Sequence, residues 1–283
     1  MNKDKKYCGY ITIIGESNVG KSTLLNKIIG KKISIISRKK NTTQTNIVGI
    51  KTDKMYQSIY IDTPGINMSK NNKTILEIYN NSYKYINQSV LIVFMVDRNI
   101  WTKNNDVISK YIKKYKIPTI ICINKIDKIS DKNILLPYLS FLNKTINVAH
   151  IIPISAKNNE NIFLLNKIIN SYLPEKSHEF CKNSYTTNSH SFTISEIIRE
   201  QFISFLGDEI PSILKVKIES LENKTEKELY IRAIIFINNI RQKKIIIGLH
   251  GEKIKKCSML ARYKIEKIFQ IKVHLYLWVK EKK

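Results

Sequence analysis

The chain has 283 residues, 43% of them hydrophobic, and a formal net charge of +25, which is enough length for one large or two ordinary domains with buried cores. Its longest apolar runs, Val90–Val96 and Pro118–Ile123, fall far below the roughly 20 residues of a membrane span; the apolar stretch after Lys3–Lys6 runs straight into a glycine loop rather than a secretory signal; and Cys8, Cys122, Cys181 and Cys257 lack metal-ligand spacing, as expected of reduced thiols in a cytoplasm. The charge attracts polyanions, but 42 of the 48 basic residues are Lys, and Asn and Ile are also abundant, so A/T-biased coding accounts for part of it and charge alone assigns no nucleic-acid binding.

The first part alternates short β-rich runs with amphipathic stretches, the pattern of a mostly parallel α/β sheet. A strand over Tyr10–Ile14 leads into Gly15-Glu16-Ser17-Asn18-Val19-Gly20-Lys21-Ser22, and an apolar-periodic helix over Lys21–Ile29 follows. This is G-x-x-x-x-G-K-S in the strand–loop–helix context that a P-loop requires. Its glycines let the backbone curl until successive N–H groups face phosphate oxygens, and the helix start adds its positive end. Lys21 is expected to reach the β and γ phosphates, and the Ser22 hydroxyl to ligate Mg²⁺.

A polar loop, Ser37-Arg38-Lys39-Lys40-Asn41-Thr42-Thr43-Gln44-Thr45, comes next. A threonine here that closes on Mg²⁺ and the γ phosphate would order the loop until hydrolysis released it. Thr43 is the first choice and Thr42 the second. Runs at Ile47–Thr52 and Ser58–Asp62 suit a hairpin across Asp53–Lys54, and the second ends in Asp62-Thr63-Pro64-Gly65, a D-x-x-G. Asp62 is placed to hold Mg²⁺ through water, and Gly65 frees an N–H to sense the γ phosphate. Ile66 follows, where many GTPases carry a water-orienting Gln. Intrinsic turnover is therefore expected to be slow, or the water to be placed by backbone and metal. With that Gln absent, the Asn18 side chain is a candidate to help hold K⁺ between the β and γ phosphates, where an arginine finger would reach.

After a strand at Val90–Val96, the strand Thr119–Ile123 runs into Asn124-Lys125-Ile126-Asp127, N-K-x-D. The Asp127 carboxylate can accept hydrogen bonds from guanine N1–H and the exocyclic amine, neither of which adenine offers there. A site built this way rejects the wrong base by roughly 10⁴. The Lys125 stem can cover the base plane, and Asn124 can tie this loop to the P-loop. A sixth strand, His150–Ile154, precedes Ser155-Ala156-Lys157, which supplies a backbone N–H for guanine O6, and a helical pattern spans Lys157–Tyr172.

Leu173-Pro174 closes the first domain, residues 1–174; the polar, aperiodic stretch 175–190 reads as a linker, and 191–283 as a second domain. There the order becomes helix (Ser195–Leu206), strand, strand, short helix, helix, strand. In the last strand Val273, Leu275, Leu277 and Val279 alternate with His274, Tyr276, Trp278 and Lys280. Gly248-Leu249-His250-Gly251 is a G-x-x-G loop after the apolar turn Lys244–Ile247. The helix beyond it puts Ile254, Cys257, Ala261, Ile265 and Ile268 on one face and Lys253, Lys255, Lys256, Arg262 and Lys264 elsewhere. That order is the α+β arrangement of a prokaryotic, type II KH domain, which clamps about four nucleotides of single-stranded nucleic acid. Lys244, Gly248, Leu249, His250, Gly251, Lys253 and Lys255 are the expected RNA contacts.

The combination resembles the Era family, bacterial GTPases with an N-terminal G domain and a C-terminal KH domain. Beyond the general motifs, the resemblance rests on Ser37-Arg38-Lys39 with Thr42-Thr43, Tyr60-Ile61-Asp62-Thr63-Pro64-Gly65, Ser195-Glu196-Ile197-Ile198-Arg199-Glu200, Asp208-Glu209-Ile210-Pro211, Arg241-Gln242-Lys243-Lys244-Ile245-Ile246-Ile247-Gly248 and Leu277-Trp278-Val279-Lys280. It implies a cytoplasmic, monomeric GTPase of 30S ribosomal subunit assembly. It further implies that the KH domain binds the single-stranded 3′ end of 16S rRNA, that the GTP state favours that binding, and that the protein associates with the inner face of the plasma membrane. Three features depart from the family: Gln44 stands where it usually has Arg, Leu249-His250 where its loop is smaller or more basic, and its usual C-terminal tail is missing after Lys283. A competing reading is a membrane or cell-cycle signalling switch whose KH-like domain holds protein or lipid. A tRNA-modification GTPase would need an extra N-terminal domain and a C-terminal catalytic Cys, and a tandem-G-domain GTPase a second P-loop; the sequence shows none of these.

Overall fold

The computed structural model describes residues 5–35, 43, 45–65, 85–146, 148–205, 214–225 and 227–281. The chain divides into two compact units, the first comprising Met1–Ser34 with Thr43–Thr187 and the second comprising Ile35–Thr42 with Asn188–Lys283.

In the first unit the described elements run β1 (Tyr7–Gly15), α1 (Lys21–Ile29), β2 (Ile47–Asp53), β3 (Tyr56–Asp62), β4 (Ser89–Asp97), α2 (Lys103–Lys113), β5 (Thr119–Asn124), α3 (Leu135–Thr145), β6 (His150–Pro153) and α4 (Ile162–Ser171). They build one sheet in the order β2-β3-β1-β4-β5-β6, parallel throughout except for the β2/β3 hairpin. The central strands read as continuous Ile/Val runs because both faces are covered. Phe94, Ile121 and Ile123 pack with Ile108 and Ile112 of α2 and with Tyr138 and Leu142 of α3, and α1 buries Leu24, Leu25 and Ile28. Parallel pairing brings the carboxyl ends of β1, β3, β4, β5 and β6 to one edge. There Gly15 is level with Met95, Asp97 with Asn124, and Ile123 with Pro153. Ligands bind at such an edge in open α/β sheets.

Two local expectations are corrected. The helical pattern over Lys157–Tyr172 becomes helix only at Ile162. Before it, Asn159 and Asn161 adopt left-handed φ of 66° and 57°, Ser155 and Glu160 pair backbone to backbone, and Asn161 Nδ2 donates to the Pro153 carbonyl at 2.8 Å. The stretch read as a free linker, 175–190, is fastened to the first unit as far as Thr187. Glu175 bridges to Tyr7, the buried Gln57 accepts from the N–H groups of Glu179 and Phe180, and Ile50 N–H donates to Tyr185 O at 2.9 Å. The polar residues that looked like linker composition satisfy strand groups instead.

The second unit comprises α5 (His190–Phe205), β7 (Lys215–Thr225), β8 (Glu228–Ile237), α6 (Ile240–Ile247), a 3₁₀ turn (Leu249–Gly251), α7 (Glu252–Phe269) and β9 (Lys272–Glu281). Its sheet runs β7-β8-β9, with β7/β8 antiparallel and β8/β9 parallel. The helices cover one face around Ile198, Phe202, Ile231, Ile235, Ile246, Ala261 and Ile265. The first helix starts at His190 rather than Ser195, because Ser189 Oγ accepts the Phe192 N–H at 3.1 Å in the manner of an N-cap. Ile268, expected on the core face of α7, is exposed in that helix's last turn. Ser37–Thr42, Gln44, Ile66 and Asp208–Pro211 lie outside the described residues.

Candidate functional site

The loop between β1 and α1 wraps a lysine. Lys21 is 5% exposed, and its ammonium donates to the carbonyls of Gly15 at 3.1 Å and Glu16 at 2.6 Å. Burial lowers its pKa to about 8, against the opposing pull of Asp62 and Glu16. Both glycines are sterically required. A Cβ on Gly15 would lie 2.5 Å from the Met95 carbonyl oxygen, and one on Gly20, at φ 103°, would run into the Asn124 amide. Asn18, at the loop's exposed tip, has φ 64°, while Val19 is buried beneath it. The Glu16 carboxylate accepts a hydrogen bond from the hydroxyl of Thr102, which also caps α2 by accepting from Asn105 N–H at 3.3 Å. No sequence motif announced Thr102.

Four side-chain oxygens gather behind the loop. Ser22 Oγ donates to Asp62 Oδ2 at 2.6 Å and lies 3.1 Å from Thr43 Oγ1, and Ser34 Oγ donates to the same Asp62 oxygen at 3.3 Å. Asp62 is fully buried; burial raises its pKa, which Lys21 and the hydroxyl bonds oppose. Asp62 Oδ1 is buried with no hydrogen-bond partner among the described residues. An orphan carboxylate oxygen near the Ser22 and Thr43 hydroxyls is a hard, oxygen-only donor set, which fits a partly hydrated Mg²⁺. Thr63 donates its hydroxyl to the Ile13 carbonyl at 2.8 Å, fixing the turn through Pro64, and a Cβ on Gly65 would meet the Ser17 backbone nitrogen at 2.7 Å. The D-x-x-G turn therefore lies directly against the P-loop.

Asn124 joins the base-recognition loop to the phosphate loop. Its Nδ2 donates to the Val19 carbonyl at 2.7 Å, and its Oδ1 accepts from Ala156 N–H at 3.0 Å. Lys125 is left-handed at φ 66°, with its ammonium 2.7 Å from Asp97 Oδ2. Ser155 Oγ donates to Asp127 Oδ1 at 2.6 Å and accepts from Asn158 N–H at 3.1 Å. Sequence reasoning gave Ser155-Ala156-Lys157 only a backbone role, so the hydroxyl contact is new. The exposed Lys157 follows at the rim.

In the second unit α6 ends at Gly248, with φ 76°, and Gly251, with φ 79°, opens the 18-residue α7. A Cβ on Gly248 would sit 2.7 Å from Lys253 Cγ, whereas Gly251 faces open space. Between them His250 is left-handed at φ 47°, and Leu249 is 76% exposed, an apolar side chain standing at the loop tip. Lys244, Lys253 and Lys255 are exposed around this bend. Gly251, which carries no Cβ and faces open space, leaves the backbone N–H groups at the start of α7 open to close approach by a sugar–phosphate chain.

Fold and site together define a P-loop GTPase carrying a KH domain. Residues 10–125 match the family described as 50S ribosome-binding GTPase, and residues 209–283 match the KH domain family. The chain is 59% identical over 282 residues to GTPase Era of Buchnera aphidicola subsp. Acyrthosiphon pisum (strain APS), covering all of both chains. To GTPase Era of Haemophilus influenzae (strain PittGG) it is 43% identical over 280 residues, covering 99% of this chain and 92% of that one. A crystal structure of Era in complex with MgGDPNP and nucleotides 1506–1542 of 16S ribosomal RNA superposes with a TM-score of 0.93 at 34% identity, over 98% of this chain and 94% of that one. An Aquifex aeolicus Era variant bound to GDP and AlF₄⁻ gives 0.92 at the same identity and coverage. The chain belongs to the Era family of GTPases.

Proposed function

We propose that this chain binds GTP with Mg²⁺ in its first unit, hydrolyses it to GDP and phosphate, and uses the nucleotide state to govern binding of the 16S rRNA 3′ end by its second unit during 30S subunit assembly. The observation that carries this reading is the convergence of four sequence-distant segments on one edge of a sheet, where Asn124 bonds both the P-loop and the Ser155–Lys157 loop. Gly15 to Ser22 cradle the phosphates, and Lys21 sits on the β and γ oxygens. Ser22, Thr43 and Asp62 would hold Mg²⁺, which when bound neutralises charge on the transferring phosphoryl group. Thr63 and Pro64 shape the turn that presents the Gly65 N–H. Asp127 reads guanine, Lys125 covers its plane, and the Ser155-Ala156-Lys157 backbone meets O6. The resemblance to the Era structure bound to MgGDPNP and 16S rRNA supports this assignment.

Asn18 is assigned a finer role, lending its side chain to a K⁺ ion that does the work of an arginine finger. Hydrolysis should then run about tenfold faster or more in potassium than in sodium buffer; equal rates remove the ion from the mechanism. The same reading makes the protein a cytoplasmic monomer. Its +25 charge supports a peripheral, salt-sensitive contact with the anionic inner leaflet of the plasma membrane.

RNA binding is assigned to Lys244, Gly248, Leu249, His250, Gly251, Lys253 and Lys255. Replacing Gly248 and Gly251 by Asp places two carboxylates where phosphates must approach and should cost about 10² or more in affinity for a 16S 3′-end oligonucleotide while sparing GTP turnover. Because Gly248→Asp also crowds Lys253, the charge-only pair Lys244→Glu and Lys253→Glu serves as a check. It should weaken binding and flatten the salt dependence. Undiminished binding in both sets of variants, by fluorescence anisotropy, refutes the assignment.

A further inference from the structure

We propose that Asp97, the last residue of β4, is a positioning residue for guanine recognition: it anchors the ammonium of Lys125 so that the lysine stem is set over the base before nucleotide arrives. The proposal rests on the guanine-nucleotide reading of the N-K-x-D loop. Asp97 belongs to none of the P-loop, D-x-x-G, N-K-x-D or Ser155-Ala156-Lys157 segments. It is level with Asn124 in the β4/β5 ladder, so its backbone is held by a central strand.

The carboxylate divides between two cations. Oδ2 accepts from Lys125 Nζ at 2.7 Å, and Oδ1 accepts from Arg98 Nε at 3.0 Å. Arg98 itself donates its N–H to the Asn124 carbonyl at 2.9 Å. The β4 turn thus grips the base loop through backbone and side chain together. Lys125 has an unfavourable left-handed backbone at φ 66°, and the loop is further pinned by Ile126 N–H on the Ile154 carbonyl and Lys128 N–H on the Lys125 carbonyl. With Cα and Nζ both fixed, the four-carbon stem between them retains little rotamer freedom. An ordered stem lowers the entropic cost of covering a ligand plane. A partly exposed ion pair of this kind adds little to fold stability, so its effect belongs to binding.

The test uses the full chain and titration of fluorescent GDP. Asp97→Ala and Asp97→Asn should each raise Kd about tenfold, the cost of ordering one long side chain on binding. The turnover at saturating GTP should change far less than KM, the nucleotide-free melting temperature should stay within a few degrees, and Asp97→Glu should recover part of the affinity. The decisive comparison is the double variant: Asp97→Ala should add nothing to Lys125→Ala. An unchanged Kd in the single Asp97 variants, or losses that multiply in the double variant, overturns the proposal. A wild-type chain that binds no GDP overturns the nucleotide reading and the proposal with it, whereas tight wild-type binding with multiplying losses leaves that reading intact.

Discussion

Replacing Lys21 by Ala should raise the GTP dissociation constant about 10³-fold or more and bring turnover to background. The side chain is buried inside the P-loop with its ammonium on two loop carbonyls, aimed where phosphate must lie. Hydrogen bonds to a charged group contribute about 1.5–3 kcal/mol each, and at least two phosphate oxygens lose that partner. The cation also offsets triphosphate charge in a water-poor setting, where Coulombic effects grow. The loss should not come from unfolding. Burial lowers the Lys21 pKa to about 8, so the charged form is held in the fold at a cost, and removing it takes away that penalty together with the two carbonyl bonds and the attraction to the buried Asp62, opposing effects that largely offset one another. The nucleotide-free variant should therefore melt within a few degrees of the parent. Isothermal titration with GTP and a thermal scan decide the matter, and retained nanomolar-to-micromolar affinity contradicts the site.

What the sequence made legible differs from what it hid by range along the chain. The P-loop, D-x-x-G, N-K-x-D and G-x-x-G segments are contiguous, and each requires a strand–turn or helix–turn context that hydrophobic periodicity reveals, so these segments and most strand limits were readable within a residue or two. Hidden were the contacts between them: Thr102 on Glu16, Ser155 on Asp127 and Asp97 on Lys125 join residues far apart in the chain. Nothing in a threonine before an amphipathic helix distinguishes a plain N-cap from one that also reaches the phosphate loop. The strap over 175–187 failed for a related reason. Composition reports polarity, and a polar segment that satisfies Gln57 and the β2 edge has the same composition as one that floats in water.

Asp127→Asn should exchange guanine for xanthine selectivity. GTP affinity should fall by roughly 10² or more and XTP affinity should rise, for a total change in preference of roughly 10³ or more. Xanthine carries a carbonyl in place of the exocyclic amine, so it requires a donor where guanine requires an acceptor. An amide offers both, and its orientation decides. Ser155 Oγ accepts from Asn158 N–H on one lone pair and gives its single hydroxyl hydrogen to residue 127. The lower-energy amide turns its oxygen to Ser155 and its NH₂ to the base, because the opposite orientation takes the acceptor away from the Ser155 hydroxyl hydrogen; the favoured orientation suits xanthine and rejects guanine. This yields a sharper test than the single substitution. Adding Ser155→Ala to Asp127→Asn frees the amide to flip and should narrow the XTP preference several-fold, while Ser155→Ala alone weakens GTP only modestly because the carboxylate still accepts in either orientation. Competition titrations with GTP, XTP and ATP on the three variants read this directly. Unchanged GTP selectivity in Asp127→Asn removes that residue from base recognition, and an XTP preference indifferent to Ser155 shows that something other than its hydroxyl orients the amide.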